Sequence, residues 1–298
     1  MSRNRQALCT VCLAALLALA YGLWARTGLG HAELAETNFE ANLIRLQSFL
    51  FERPPHAVLA GSSITGRLLP SYFAGTSLAP MANLGLDGSG TLFALELVRT
   101  NPVPVVILEE NTFLRPPNFN EQLLAQTLSG FNFRLSKYLP LLRAKSRPSS
   151  MLYTWLKLRG DREGLKAAAP EPSTTTASAL APLPSPSEDA AFETVHNQLR
   201  DGIKQLREHG CRVVLLRLPS GQSLPSAGDL AATLGEALAR EFNLQRVDLG
   251  QECLNRGESV TFTDGIHLSA GSARQASRIL AELLASRSSL AQGTMRAR

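Results

Sequence analysis

Asp264-Gly265-Ile266-His267 sets a carboxylate three residues before an imidazole on one short stretch of chain. That spacing suits an acid–base pair: one ring nitrogen takes up a proton while the carboxylate accepts from the other and fixes the tautomer. A base of this kind needs a hydroxyl to activate. Gly61-Ser62-Ser63-Ile64-Thr65 supplies a candidate in Ser63, on a turn where the hydroxyl and the backbone N–H would both face a ligand. By itself the segment reads more naturally as a structural turn, because Gly and Ser are common turn residues. Two more positions carry donors suited to a developing oxyanion, the Gly88 N–H in Asn83-Leu84-Gly85-Leu86-Asp87-Gly88 and the Asn111 side-chain amide. Separately they are a glycine turn and a loop asparagine; with the Ser63 N–H they make an expected set of three. His31, His56, His196 and His209 have no comparable context, and His209 is expected at a helix C-terminus, where it meets the dipole.

The elements that must position these residues can be read from hydrophobic periodicity. A short apolar run from His56 to Ala60 stops at the Ser63 turn, and Val105-Val106-Ile107-Leu108 is a β-branched core strand ending at Glu109-Glu110-Asn111. Leu92, Leu95 and Val98 form a helical stripe before it. Phe192, Val195, Leu199, Ile203 and Leu206 mark an amphipathic helix, followed by a strand at Cys211–Leu218, a helix across Leu230–Phe242, a strand near Leu244–Leu249 and a last helix at Ala270–Leu284. This alternation predicts a doubly wound α/β unit with a parallel sheet, in which ligands bind beyond the carboxyl ends of the strands. The candidate residues fall at such ends. The rhythm breaks after Asn111, which predicts an insertion over 113–188. Its Glu121–Leu158 part is rich in Leu, aromatic residues and Arg, suits helices and could form a wall beside the site; residues 167–187 are dominated by Pro, Ser, Thr and Ala and are expected to be disordered.

With 298 residues, 44% hydrophobic and 18% charged, the composition suits one globular domain with added segments. The net charge of +5 is spread along the chain without interleaved aromatics, so it does not point to nucleic acid. Cys9, Cys12, Cys211 and Cys253 lack metal-ligand spacing, and no phosphate-cradling loop with its Lys is present, so neither a metal nor a cofactor is expected. Cys211 and Cys253 read as two separate buried thiols, with a disulfide as the alternative. Arg3 and Arg5 precede an uncharged stretch from Ala7 to Ala25 that is long enough to cross a bilayer, which predicts a cytoplasmic tail at 1–6 and a signal anchor at 7–25. A cleaved signal peptide ending near Gly30-His31-Ala32 is the alternative; on either reading the remainder faces outward. A linker helix at 33–52 would lead to the main domain at 53–288.

In order and strand-end placement, these blocks resemble the SGNH (GDSL) hydrolase family. Gly61-Ser62-Ser63-Ile64-Thr65 is similar to its first block, Gly88 to its glycine block, Asn111 to its asparagine block, and Asp264 with His267 to its closing DxxH block; Arg217-Leu218-Pro219 resembles lysophospholipase-like members. The resemblance implies a three-layer α/β/α, flavodoxin-like domain, a catalytic Ser63, His267 and Asp264, and an oxyanion hole of Ser63, Gly88 and Asn111. Two positions depart from the pattern. Ser62 stands where many members have Asp, and Glu109 where the asparagine block has Gly; a Glu109 facing the hole would oppose the charge stabilised there, and one pointing away could bind a sugar hydroxyl or position an acyl donor. The implied activity is a serine esterase or O-acyltransferase acting on acyl groups of cell-envelope polysaccharide or exopolysaccharide. It would be held at the inner membrane facing the periplasm, with a membrane-bound acyltransferase as a partner. A lysophospholipase-like esterase and a noncatalytic carbohydrate-binding or assembly subunit are the alternatives.

Overall fold

In the computed structural model, residues 3–26, 35, 37–164, 188–219 and 227–296 are described. Residues 167–187, Gly30-His31-Ala32 and the start of the expected linker helix lie outside them. The chain divides into two compact units, Met1–Gln47 with Gln122–Glu171, and Ser48–Glu121 with Pro172–Arg298.

The second unit contains the sheet. Its strands are β1 (Ala57–Ser62), β2 (Met81–Leu86), β3 (Val105–Glu109), β4 (Arg212–Arg217) and β5 (Gln245–Asp248), all parallel, in the order β2-β1-β3-β4-β5. Chain order reverses between β1 and β3, which is the switch point at whose carboxyl edge a doubly wound sheet opens a crevice. β1 and β3 are buried along their whole length because helices cover both faces. On one face, Leu59, Ile107, Val214 and Leu216 join a core with Leu249, Cys253, Ala276, Ile279 and Leu280 from α9 (Leu249–Asn255) and α10 (Ala270–Arg296). Alternate residues Val58, Val106, Leu108, Val213 and Leu215 point the other way, towards α3 (Thr91–Thr100), α7 (Glu188–Glu208) and α8 (Ala227–Phe242). Each fully buried Leu or Ile contributes about 1.5–3 kcal/mol. This architecture is α/β and compatible with a three-layer sandwich. Cys211 and Cys253 are free, buried thiols.

Sequence periodicity does not assign β2, whose centre carries Asn83 and Gly85, nor α9, whose seven residues are too few to show a stripe. The last helix runs to Arg296, well past Leu284.

The first unit is helical. It holds α1 (Arg3–Arg26), most of α2 (Asn38–Phe51), most of α4 (Phe119–Ser129), α5 (Phe131–Tyr138) and α6 (Pro148–Gly164). α1 contains a span, Asn4–Leu23, long and apolar enough to cross a membrane. Gln47 of α2 ties the insertion down: its Nε2 donates to Ser136 Oγ at 3.1 Å, and its Oε1 accepts from the Ala144 N–H at 2.7 Å.

Candidate active site

β1 ends at Ser62, and the next residue begins a tight turn leading into a 3-10 turn at Thr65–Arg67. Polar side chains from both neighbouring strands pin this turn. From β2, Asn83 Nδ2 donates to the carbonyls of Thr65 and Leu68 at 2.9 and 2.7 Å, while its Oδ1 accepts from the Gly85 N–H. From β3, Glu109 accepts from the Ser62 N–H at 2.7 Å, from the Ser62 hydroxyl at 2.8 Å, from the Thr65 hydroxyl, and from the Thr112 hydroxyl at 3.3 Å. Glu109 is completely buried. A carboxylate without water is costly unless hydrogen-bonded, and bonds to a charged acceptor are worth about 1.5–3 kcal/mol each, so these four donors keep it in place and it keeps them in place. The arrangement needs Gly61: a Cβ there would lie 2.3 Å from Glu109 Oε2, which is closer than any real contact. The sequence left open whether Glu109 faces the oxyanion hole or turns away from it. Both its oxygens are engaged by residues 62, 65 and 112, under the turn.

The loop bearing Asp264 and His267 is a miniature hairpin. The Thr263 N–H donates to the His267 carbonyl at 2.9 Å, the Ser269 N–H to the Thr261 carbonyl at 2.9 Å, and Phe262 and Leu268 form an antiparallel bridge. At its tip Gly265 has φ +78°, a backbone region that strains residues with a Cβ. Leu268 is buried in the core, so the hairpin is anchored just beyond the imidazole.

These two structures bring three expected residues into one chain of hydrogen bonds. His267 Nε2 lies 2.9 Å from Ser63 Oγ, and His267 Nδ1 lies 2.6 Å from Asp264 Oδ2. Asp264 Oδ1 accepts from the backbone N–H groups of Ile266 at 3.1 Å and His267 at 2.7 Å. Partial burial pushes the Asp264 carboxyl up, but the His267 N–H, the His267 ring and the Ile266 N–H outweigh it and hold its pKa at about 2 against an ordinary 3.8. Asp264, ionised at neutral pH, selects the tautomer with the proton on Nδ1, leaving Nε2 as an acceptor aimed at the Ser63 hydroxyl.

Gly88 and Asn111 stand at the ends of the strands that flank β1. Neither the Ser63 nor the Gly88 N–H has an acceptor among the described residues. Asn118 donates through its side-chain amide to the Gly88 carbonyl, which fixes that peptide. Asn111 Nδ2 donates to the Leu218 carbonyl at 2.9 Å, and its Oδ1 accepts from the Leu218 N–H at 2.9 Å. One Asn111 N–H is thereby spent on the end of β4, and the second is left for another acceptor. Next to it, Glu110 is almost completely buried; burial pushes its pKa up, only partly offset by the Arg246 guanidinium at 2.7 Å.

Sequence reasoning did not foresee the supporting residues Thr65, Asn83 and Thr112. Asn83 carried a signal, a buried amide within an otherwise apolar run; the two threonines carried none. No group of His, Cys, Asp or Glu able to hold a metal occurs among the described residues.

The ionisation of Asp264 yields a testable pH dependence. Because its folded pKa lies below its unfolded value, its contribution to stability is complete above about pH 4 and is lost as pH falls through about 2. For a side chain this exposed the gain is no more than about 1 kcal/mol after solvent screening. Urea denaturation of the wild type and Asp264→Asn should show a gap at neutral pH that closes below about pH 4; a gap independent of pH would contradict the ionised Asp264.

Neither a scan against protein-family models nor a search of curated proteins finds a match to this chain.

Proposed function

We propose that this protein is a serine-dependent ester hydrolase or acyl transferase of the SGNH type, with Ser63 as nucleophile, His267 as base and Asp264 as the residue that orients and charges against it. The observation that carries the reading is the continuous Ser63–His267–Asp264 chain, at 2.9 and 2.6 Å, at the carboxyl edge of the switch-point strand. On this reading His267 Nε2 takes the Ser63 proton as Oγ attacks an ester carbonyl. The N–H groups of Ser63 and Gly88 and the second Asn111 N–H receive the oxyanion. His267 then protonates the departing alkoxide, and water or a sugar hydroxyl, deprotonated by the same ring, releases the acyl group from Ser63.

Glu109 supports this assignment instead of weakening it. The two departures from the SGNH pattern are one exchange in space: where the family pattern has Asp at the position of Ser62 and Gly at that of Glu109, this chain carries the carboxylate on the neighbouring strand. Ser62 then donates to it. A noncatalytic reading drew its force from Glu109; its place beneath the turn supports the catalytic reading. The uncharged span in α1, preceded by Arg5 and followed by Arg26, fits an anchor that leaves the sheet unit outside the cytoplasm. Acyl groups on envelope polysaccharide or exopolysaccharide are the substrates this setting suits, with a membrane-bound acyltransferase as a donor partner for the transfer direction.

Ser63→Ala and His267→Ala are each expected to lower p-nitrophenyl acetate turnover by about a thousandfold or more, with unchanged circular dichroism; a fully active Ser63→Ala protein would sink the assignment. The exchange has its own test. Ser62→Asp sets two carboxylates about 3 Å apart and should destabilise the fold by about 2–4 kcal/mol, whereas Glu109→Gly added to it should restore at least half. Additive effects of the two substitutions in a denaturation cycle would reject the coupling.

A further inference from the structure

The insertion leaves many large apolar side chains facing outward while it buries polar ones. In α5, α6 and the turns between them, Ser136, Arg143, Ser146, Ser150 and Thr154 are buried beside Phe133 and Ala144. Phe131 and Tyr138 are about three-quarters exposed, at 75% and 73%, and Leu152, Trp155 and Leu156 are more than half exposed. In water, large apolar side chains exposed this densely are costly and mark a surface made to be covered.

What covers it is set by α1, which belongs to the same compact unit. The Tyr21 hydroxyl donates to the Ser146 carbonyl and lies 3.8 Å from Met151 Sδ, and α1 packs on the turn Pro140–Leu142. Tyr21 lies inside the apolar span Asn4–Leu23, two residues from its end. At 1.5 Å per residue those two residues correspond to about 3 Å, so a span that fills the hydrocarbon core puts Tyr21 at its edge. Ser146 and Met151 then sit at headgroup level. Trp155 follows Met151 by four residues and shares its face of α6. Charge points the same way. Between Gln122 and Gly160 the chain has no Asp or Glu; Arg134 and Lys137 are exposed basic residues, while Arg147 is paired with Glu40 at 3.1 Å. An aromatic and Leu surface set among cations, at the depth where a membrane helix emerges, matches the interfacial layer of an anionic bilayer.

We propose that the insertion from Phe131 to Leu156 is a second membrane-contacting element that lies in the interfacial layer of an anionic bilayer beside the end of α1. This inference rests on the reading of α1 as a membrane span and is independent of the chemistry at Ser63.

The chain has two tryptophans, Trp24 and Trp155, so each can be isolated by replacing the other with Phe. The full chain would be reconstituted into vesicles of phosphatidylcholine and phosphatidylglycerol, with and without bromine high on the acyl chains. With Trp24→Phe, the Trp155 emission is expected to fall by about half in brominated vesicles and to resist aqueous iodide. Trp155→Phe reports on Trp24 at the end of α1 and separates the two claims. If Trp24 is quenched by bromine and Trp155 is not, the interfacial proposal is wrong and the anchor stands. If neither is quenched, both are wrong. A Trp155 shielded from iodide yet untouched by brominated lipid would mean that a protein or a second copy covers the surface, which also overturns the proposal.

Discussion

A carboxylate without water must either find donors or lose its charge, and Glu109 meets that condition by taking its donors from the turn that carries Ser63. Much else is arranged around this. Gly61 has to lack a side chain, Ser62 and Thr65 have to present hydroxyls, and Thr91 holds the Glu109 carbonyl through its own hydroxyl at 2.7 Å while its Oγ1 lies 2.9 Å from Thr112 Oγ1. Asn83 completes the clamp from the opposite strand. The turn is therefore defined by side chains from β1, β2 and β3 together. Its rigidity lets a serine hydroxyl stand at a fixed distance from an imidazole more than two hundred residues away in sequence.

That imidazole is fixed by different means. The hairpin from Thr261 to Ser269 is closed by backbone bonds, and by the Thr261 and Ser269 hydroxyls at 2.7 Å, and is rooted in the core by Leu268. Asp264 is the innermost constraint: one oxygen accepts two backbone N–H groups and the other the imidazole, so a single carboxylate shapes the loop and sets the tautomer. A buried carboxylate fixes the Ser63 turn, and a half-exposed one fixes the His267 ring. The two burdens differ accordingly, since Glu109 depends on the completeness of its donors and Asp264 has water close by beside its three N–H partners.

The alternation of strands and helices was legible because buried parallel strands are written as continuous runs such as Val105-Val106-Ile107-Leu108, and helices as stripes such as Leu199, Ile203 and Leu206. Asp264 and His267 were legible because their partnership is local, three residues on one loop. β2 was not, because the Asn83 and Gly85 that disrupt its pattern serve contacts with the Ser63 turn, and those contacts do not exist in one dimension. The orientation of Glu109 was hidden for the same reason: its partners lie 44 and 47 residues away, and only their position on adjacent parallel strands turns an unusual residue into a support. The outward-facing apolar side chains of the insertion were equally out of reach, since Leu- and aromatic-rich helices look alike in sequence whichever way they face.

Ser63 as an activated nucleophile is the claim on which the functional account stands, and a fluorophosphonate reacts with such a serine because the oxyanion donors and the base act on it together. The most direct measurement is mass-spectrometric mapping of the adduct after brief exposure of the full-length protein in detergent. The account predicts a single adduct on the peptide containing Ser63, approaching one per chain, and absent from Ser63→Ala and His267→Ala. An unlabelled wild type, or an adduct that persists on another residue in Ser63→Ala, would contradict it.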